Sequence, residues 1–280
     1  MSRDPAQFIS PMLAITAPMP FDSDEWWYEV KWDGYRALIS YIEDLRVYSR
    51  HGANLLSRFP DLGQLRDIIP RGTVFDAELV AWFQGKPSFA ALQRRESVPH
   101  LAMVFDCLYS HQKWHLHEPL HLRREYLQEL IPDRQPMVVV SSGLVGQGRE
   151  LLGEVVEKGL EGVMAKHMMS RYWPGHRVQA WQKFLALRRR WCAVRQVKRL
   201  ADGHWQWWVG DPSSGSIAAR VPAPSRWDPP TGLDHDLTWV SGLWAEIEYR
   251  EETAGGKFRH ARIRQWQNDK LGRDTDHPSQ

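Results

Sequence analysis

The stretch WWYEVKWDGYRALISYIEDLRVYS, residues 26–49, decides how the first part of the chain folds. Alternating apolar and polar positions predict strands over 27–30, 37–41 and 45–49, with turns at Asp33-Gly34 and Glu43-Asp44. The densest chemistry lies between the first two strands. Lys31 is flanked by Glu29 and Asp33, followed by the turn residue Gly34 and then by Arg36. By itself the cluster has two readings, a solvated set of charges on an edge strand or a nucleophilic lysine at a strand-to-turn junction. A free amine of pKa ~10.4 is mostly protonated at neutral pH, and bringing it to about 8 takes roughly 3 kcal/mol of bias toward the neutral form. Neighbouring cations or partial burial must supply that bias.

Outward from this segment, apolar residues at helical spacing predict helices over 62–69, 122–131 and 151–158, the last ended by Gly159. Runs at 74–82, 102–108 and 137–140 read as strands, so the core is α+β or α/β. Near residue 188 the character changes to short β-like runs at 192–197, 205–209, 217–221, 244–249 and 261–266. The boundary is placed there, giving domains 1–187 and 188–280. Five short strands suit a small barrel such as an OB-fold, and a five-stranded sandwich is compatible too. The proline-rich stretch 222–231 reads as a loop.

Composition narrows the class further. With 42% hydrophobic and 25% charged residues, the chain is globular rather than disordered or fibrous. Its fifteen tryptophans are unusual, and Trp205, Trp207 and Trp208 read as sheet core or as stacking surfaces for bases. A net charge of +2 is too small to argue for nucleic acid, which depends on where cations sit. Cys107 and Cys192 show no paired-ligand spacing, so neither a disulfide framework nor zinc is indicated. No segment has the length of a signal core or a membrane span, and a monomer in a reducing cytoplasm is the expectation.

Six short motifs then carry a resemblance. Glu29-Val-Lys31-Trp-Asp33-Gly34-Tyr-Arg36 is followed by Ser49-Arg50-His-Gly52 with Arg58-Phe59-Pro60, and by Asp76-Ala-Glu78. Phe105-Asp106, Glu161-Gly162-Val-Met-Ala-Lys166 and Trp181-Gln-Lys183 complete the series. In order and approximate spacing these resemble the ATP-dependent DNA ligases, and in particular the ligase module of bacterial non-homologous end-joining ligases. The resemblance implies an α+β nucleotidyltransferase (adenylation) domain followed by a small β-barrel OB-fold domain. It implies that Lys31 attacks the α-phosphate of ATP to form lysyl-AMP, which passes AMP to a nick 5′-phosphate before the 3′-hydroxyl displaces it. By the same resemblance Glu29 helps read the adenine amino group, Arg36 and Arg50 contact ribose or phosphate, and Phe105 stacks on adenine. Glu78 and Glu161 help hold Mg²⁺, and Lys166 and Lys183 hold the α-phosphate. Without it, Phe105 reads as strand core and both glutamates as surface acids.

The end of the chain also resembles the family, with Glu246-Ile-Glu248-Tyr249, Lys257-Phe-Arg259-His260 and Asp269-Lys270 matching its last motif. There the resemblance gives Lys270 the orientation of pyrophosphate; alone it reads as a solvated lysine. Three positions depart from the pattern: Gln267 and Leu185 replace a usual arginine and lysine, and Ala77 replaces a usual glycine. Loss of one preorganised donor commonly costs about 10²–10³ in rate, so self-adenylation could be slow. The basic run Arg188 to Arg199, opened by Arg188, Arg189 and Arg190, reads as a DNA-contacting hinge or as a solvated linker. Expected partners are nicked double-stranded DNA and a DNA-end-binding repair protein, with no membrane. An RNA ligase or capping-type enzyme, or a nick-binding module without step-one chemistry, are the alternatives.

Overall fold

The computed structural model describes residues 4–268 apart from 95, 212, 214, 229–237 and 254. Lys270 with Asp269, and positions 229–231 of the expected loop, therefore lie outside the described residues. The chain divides into two compact units, Met1–Ala186 and Leu187–Gln280.

The first unit is built on two sheets. One is ordered Leu13–Thr16, Arg177–Leu185, Gly162–His167, Trp26–Lys31, Gly143–Val145; the other runs Leu45–Ser49, Tyr35–Tyr41, Thr73–Phe83, His100–Ser110, Lys113–Trp114. The chain passes from the first sheet to the second at Trp32-Asp33-Gly34, between Trp26–Lys31 and Tyr35–Tyr41. This crossing requires a glycine, because a Cβ at Gly34 would lie 2.1 Å from the carbonyl oxygen of Leu79. Helices Leu120–Leu130 and Gly148–Glu157 pack on the sheets, the second ending before Gly159 in the left-handed conformation (φ 67°). The largest apolar cluster joins Ile39, Val47, Phe59, Leu62, Phe75, Leu79 and Val104.

Two local expectations change. The helix expected over 62–69 is a 3-10 helix, Pro60–Asp67, opened by proline and burying Leu62 and Leu65, whose spacing of three matches the tighter turn. Arg188–Arg199 is a twelve-residue strand inside the second unit, not a hinge or linker. Cys192 and Val194 point into the core, and a register shift between Val194 and Gln196 lets Val197 do so too.

In the second unit Arg188–Arg199 is central to an antiparallel sheet ordered Ile217–Pro222, Trp205–Gly210, Arg188–Arg199, Leu243–Tyr249, Arg262–Asn268. The edge strands Ile217–Pro222 and Arg262–Asn268 approach one another, so the sheet curls strongly. Tryptophan explains much of its core. Trp207 is fully buried, edge-on to Trp227 at 5.2 Å and to Trp266 at 6.0 Å. Trp208 instead lies under the Arg220 guanidinium at 4.0 Å.

Candidate active site

The crossing between the two sheets of the first unit leaves a cavity of about 700 Å³, and side chains from separate motifs converge on it. Lys31 ends Trp26–Lys31, Arg36 is the second residue of Tyr35–Tyr41, Arg50 follows Leu45–Ser49, and Glu78 and Phe105 lie on the long central strands. Lys166 and Lys183 line it from the neighbouring strands Gly162–His167 and Arg177–Leu185. Glu161 meets the site through Lys31, whose Nζ it binds as an ion pair.

Register explains the arrangement. Trp26–Lys31 runs antiparallel to Gly162–His167, with Lys31 opposite Gly162 and Glu29 opposite Met164. Lys31 therefore reaches diagonally to Glu161, while Glu29 reaches the other way to Lys166. Gly162 is obligatory at this junction, since a Cβ there would lie 2.1 Å from the carbonyl oxygen of Phe184 on the next strand.

The two ion pairs differ in solvent access. Lys31 and Glu161 retain 21% and 18% side-chain exposure, whereas Lys166 and Glu29 retain 1% and 2%. Glu29 also accepts from Trp27 Nε1 at 3.1 Å and from Arg124 Nη1 at 3.4 Å. Burial pulls the Lys166 ammonium below the usual lysine range, against the opposing pull of Glu29 and Asp106. Its Nζ sits 4.0 Å from the Phe105 ring centre and 4.4 Å from that of Trp181. Phe105 is thus a buried aromatic wall with cations over it, since Arg36 also lies 4.7 Å from its centre.

Arg36 is fixed by a two-pronged pair with Asp76, Nε to Oδ1 at 2.5 Å and Nη2 to Oδ2 at 2.6 Å. Tyr172 donates to the same carboxylate at 2.6 Å and accepts from the Met12 amide at 3.0 Å. Burial alone would lower Arg36, but Asp76 outweighs it and keeps the guanidinium charged. Glu78 behaves differently. Burial pushes its carboxyl up to about 7, with Glu161 and Asp76 adding to the rise and Lys31 and Arg36 opposing it. Asp76 is committed to Arg36 and Tyr172, which leaves Glu78 and Glu161 as carboxylates for a hard divalent cation, which takes one or two protein oxygens and completes its shell with phosphate and water.

The three arginines at residues 188–190 lie in the second unit and do not share one surface role there. Arg189 pairs with Glu248 at 3.3 Å, while Arg190 pairs with Glu252 at 2.9 Å and lies over Phe258. Arg188 opens the strand opposite Tyr249.

Several side chains that shape the site carry no motif signal of their own. Arg124 stacks 4.0 Å over Trp27, donates to the Ser141 carbonyl at 2.8 Å and buttresses Glu29. Its signal is visible in retrospect: Leu120, Arg123, Arg124 and Leu127 form one buried helical stripe, and cations on such a stripe need buried partners. Arg123 finds one in Asp106, at 2.7 Å. Tyr172 was equally silent, because its partner Asp76 lies 96 residues away.

A cavity lined by lysines and arginines, with an aromatic wall and neighbouring carboxylates, is suited to holding a nucleotide by its base and its phosphates. The family model described as ATP dependent DNA ligase domain matches residues 11–184, and the chain belongs to that family. The SPbeta prophage-derived DNA ligase-like protein LigB of Bacillus subtilis is 34% identical over 185 residues, 64% of this chain and 67% of that protein. The multifunctional non-homologous end joining protein LigD of Mycolicibacterium smegmatis is 30% identical over 77% of this chain but only 28% of its own length. The crystal structure of the ligase domain from M. tuberculosis LigD superposes with a TM-score of 0.59 at 25% identity, covering 95% of this chain and 98% of that one. A mycobacterial DNA ligase D complexed with ATP and MES gives 0.59 at 26% identity, over 94% and 96%.

Proposed function

We propose that this chain seals nicks in duplex DNA with ATP, using Lys31 as the covalent nucleophile. The observation that carries the reading is the convergence on one cavity of Lys31, Glu29, Arg36, Glu78, Phe105, Lys166 and Lys183, which come from five motifs across some 150 residues. In this reading residues 1–187 are the adenylation domain and residues 188–280 an OB-fold domain, supported by the curled five-strand path of the second unit.

Lys31 attacks the α-phosphorus of ATP, a bond forms from Nζ to phosphorus, and pyrophosphate leaves. The ammonium must first separate from its ion-pair partner Glu161 and lose a proton to solvent, so that the neutral amine attacks. Arg36, held rigid by Asp76, Arg50 at the rim, and Lys166 and Lys183 supply positive charge toward ribose and phosphates. Phe105 offers the adenine its ring, and Glu29 its carboxylate edge for the amino group. Glu78 and Glu161 fit Mg²⁺, which when bound would neutralise phosphate charge. Lys270 is assigned to pyrophosphate, and Arg188, Arg189 and Arg190 to the DNA backbone, where contacts position without reading sequence. AMP then passes to the nick 5′-phosphate and is displaced by the 3′-hydroxyl.

We place the chain in DNA repair, as its relative LigD is a non-homologous end joining protein, and we take it to act as a monomer with a DNA-end-binding protein as partner. A reducing cytoplasm suits its two buried free thiols, Cys107 and Cys192, and no helix among the described residues is long and apolar enough to cross a membrane. The test is sealing of a singly nicked DNA duplex with ATP, GTP or no nucleotide. ATP-dependent sealing is expected; GTP dependence or a requirement for an RNA strand would overturn the reading.

A further inference from the structure

The cations around the cavity are not equivalent. Lys31, Arg36 and Lys166 are each neutralised by a carboxylate, Glu161, Asp76 and Glu29 respectively. Arg58 also lines the cavity and is partly buried, yet no carboxylate among the described residues pairs with it. Its Nη2 donates to the Tyr35 hydroxyl at 3.0 Å, and its guanidinium lies 4.8 Å from the Tyr35 ring centre and 5.4 Å from that of Phe59. Its Nε–H is buried and finds no acceptor among the described residues.

Ring faces and a phenol hold a guanidinium in place without cancelling its charge. A buried N–H without an acceptor is costly, and that cost is relieved when an acceptor arrives. The backbone beneath Arg58 is fixed, with Arg58 N–H and Phe59 N–H both bonded to the Leu55 carbonyl, and with Phe59 sunk in the core. Tyr35 ties it to the strand that follows the Lys31 turn. The fork is therefore oriented before any ligand binds, which favours a phosphate, whose oxygens match paired guanidinium donors.

We propose that Arg58 is a phosphate receptor of this cavity, taking either the terminal phosphates of ATP or the phosphate at the nick. The proposal rests on the ligase reading for its two sources, though not for the existence of the receptor. Binding of inorganic pyrophosphate, and of nicked duplexes ending in 5′-phosphate or 5′-hydroxyl, is measured for the full chain, Arg58→Gln and Arg58→Lys, with melting curves for each. Arg58→Gln is expected to lose about 10- to 100-fold toward pyrophosphate if ATP is the source, or in the preference for 5′-phosphate over 5′-hydroxyl if the nick is. Arg58→Lys should recover part of the loss, and it carries the test alone should Arg58→Gln melt early. An unchanged affinity for pyrophosphate together with an unchanged preference for 5′-phosphate over 5′-hydroxyl would overturn it. None of these readings needs catalysis, so failure to seal nicks would sink the ligase reading and leave this result standing.

Discussion

The two ion pairs bridging strands Trp26–Lys31 and Gly162–His167 are mirror images in charge and opposites in setting. One puts lysine on the first strand and glutamate beside the second, roughly a fifth exposed; the other reverses the charges and is sealed to 1–2%. Exposure decides what each can do. A sealed pair cannot exchange partners without uncovering a desolvated charge, so Glu29 and Lys166 meet a ligand in the cavity only as a fixed pair. The half-open pair sits where water and a ligand can compete, so Lys31–Glu161 can separate when chemistry requires a free amine.

Breaking the sealed pair should give the largest effect. Glu29→Gln strands both Lys166 and Arg124 without their carboxylate and is expected to cost about 3–5 kcal/mol in urea unfolding. Lys166→Met should cost less, because Glu29 keeps Arg124 at 3.4 Å. Equal or negligible losses would erase the distinction between the pairs. Glu161→Gln is the converse: unfolding should move by less than about 1 kcal/mol, as for partly exposed pairs, while formation of lysyl-AMP falls by about 100-fold. A large stability loss there would show that this pair is structural too.

Glu78 sharpens the comparison through pH. Its folded pKa is raised from 4.5 to about 7, so its contribution to stability is complete below about 4.5 and lost as pH rises through about 7. Glu78→Gln should therefore melt higher relative to the unmutated protein at pH 8 than at pH 5. By the same titration, Mg²⁺ affinity measured calorimetrically should tighten between pH 6 and pH 8 in the unmutated protein and not in the variant. The smallest effect is expected at Leu185, which lies across Gly162 from Lys31. Leu185→Lys adds a cation two strands from the nucleophile and should speed self-adenylation several-fold in a single-turnover assay.

Strand-scale features were legible because they are local. The alternation over residues 26–49 predicted three strands and the Asp33-Gly34 turn, and all three are present. Strands Gly162–His167 and Arg177–Leu185 were not read as strands, because Lys166, Gln182 and Lys183 break the apolar pattern where the cavity needs charge. Site roles for Glu78, Glu161 and Phe105 came from family resemblance; residue type alone made them surface acids and core. The Asp76–Arg36 and Arg124–Glu29 pairs were hidden, since contacts 40 and 95 residues apart leave no local trace. The glycine requirement at Gly162 emerges only once a third strand lies beside it.

The central claim is that Lys31 carries AMP. Incubating the protein and Lys31→Ala with α-labelled ATP and Mg²⁺, then denaturing, should leave acid-labile label on the unmutated chain alone. Label on both, or on neither with both folded, would contradict the account.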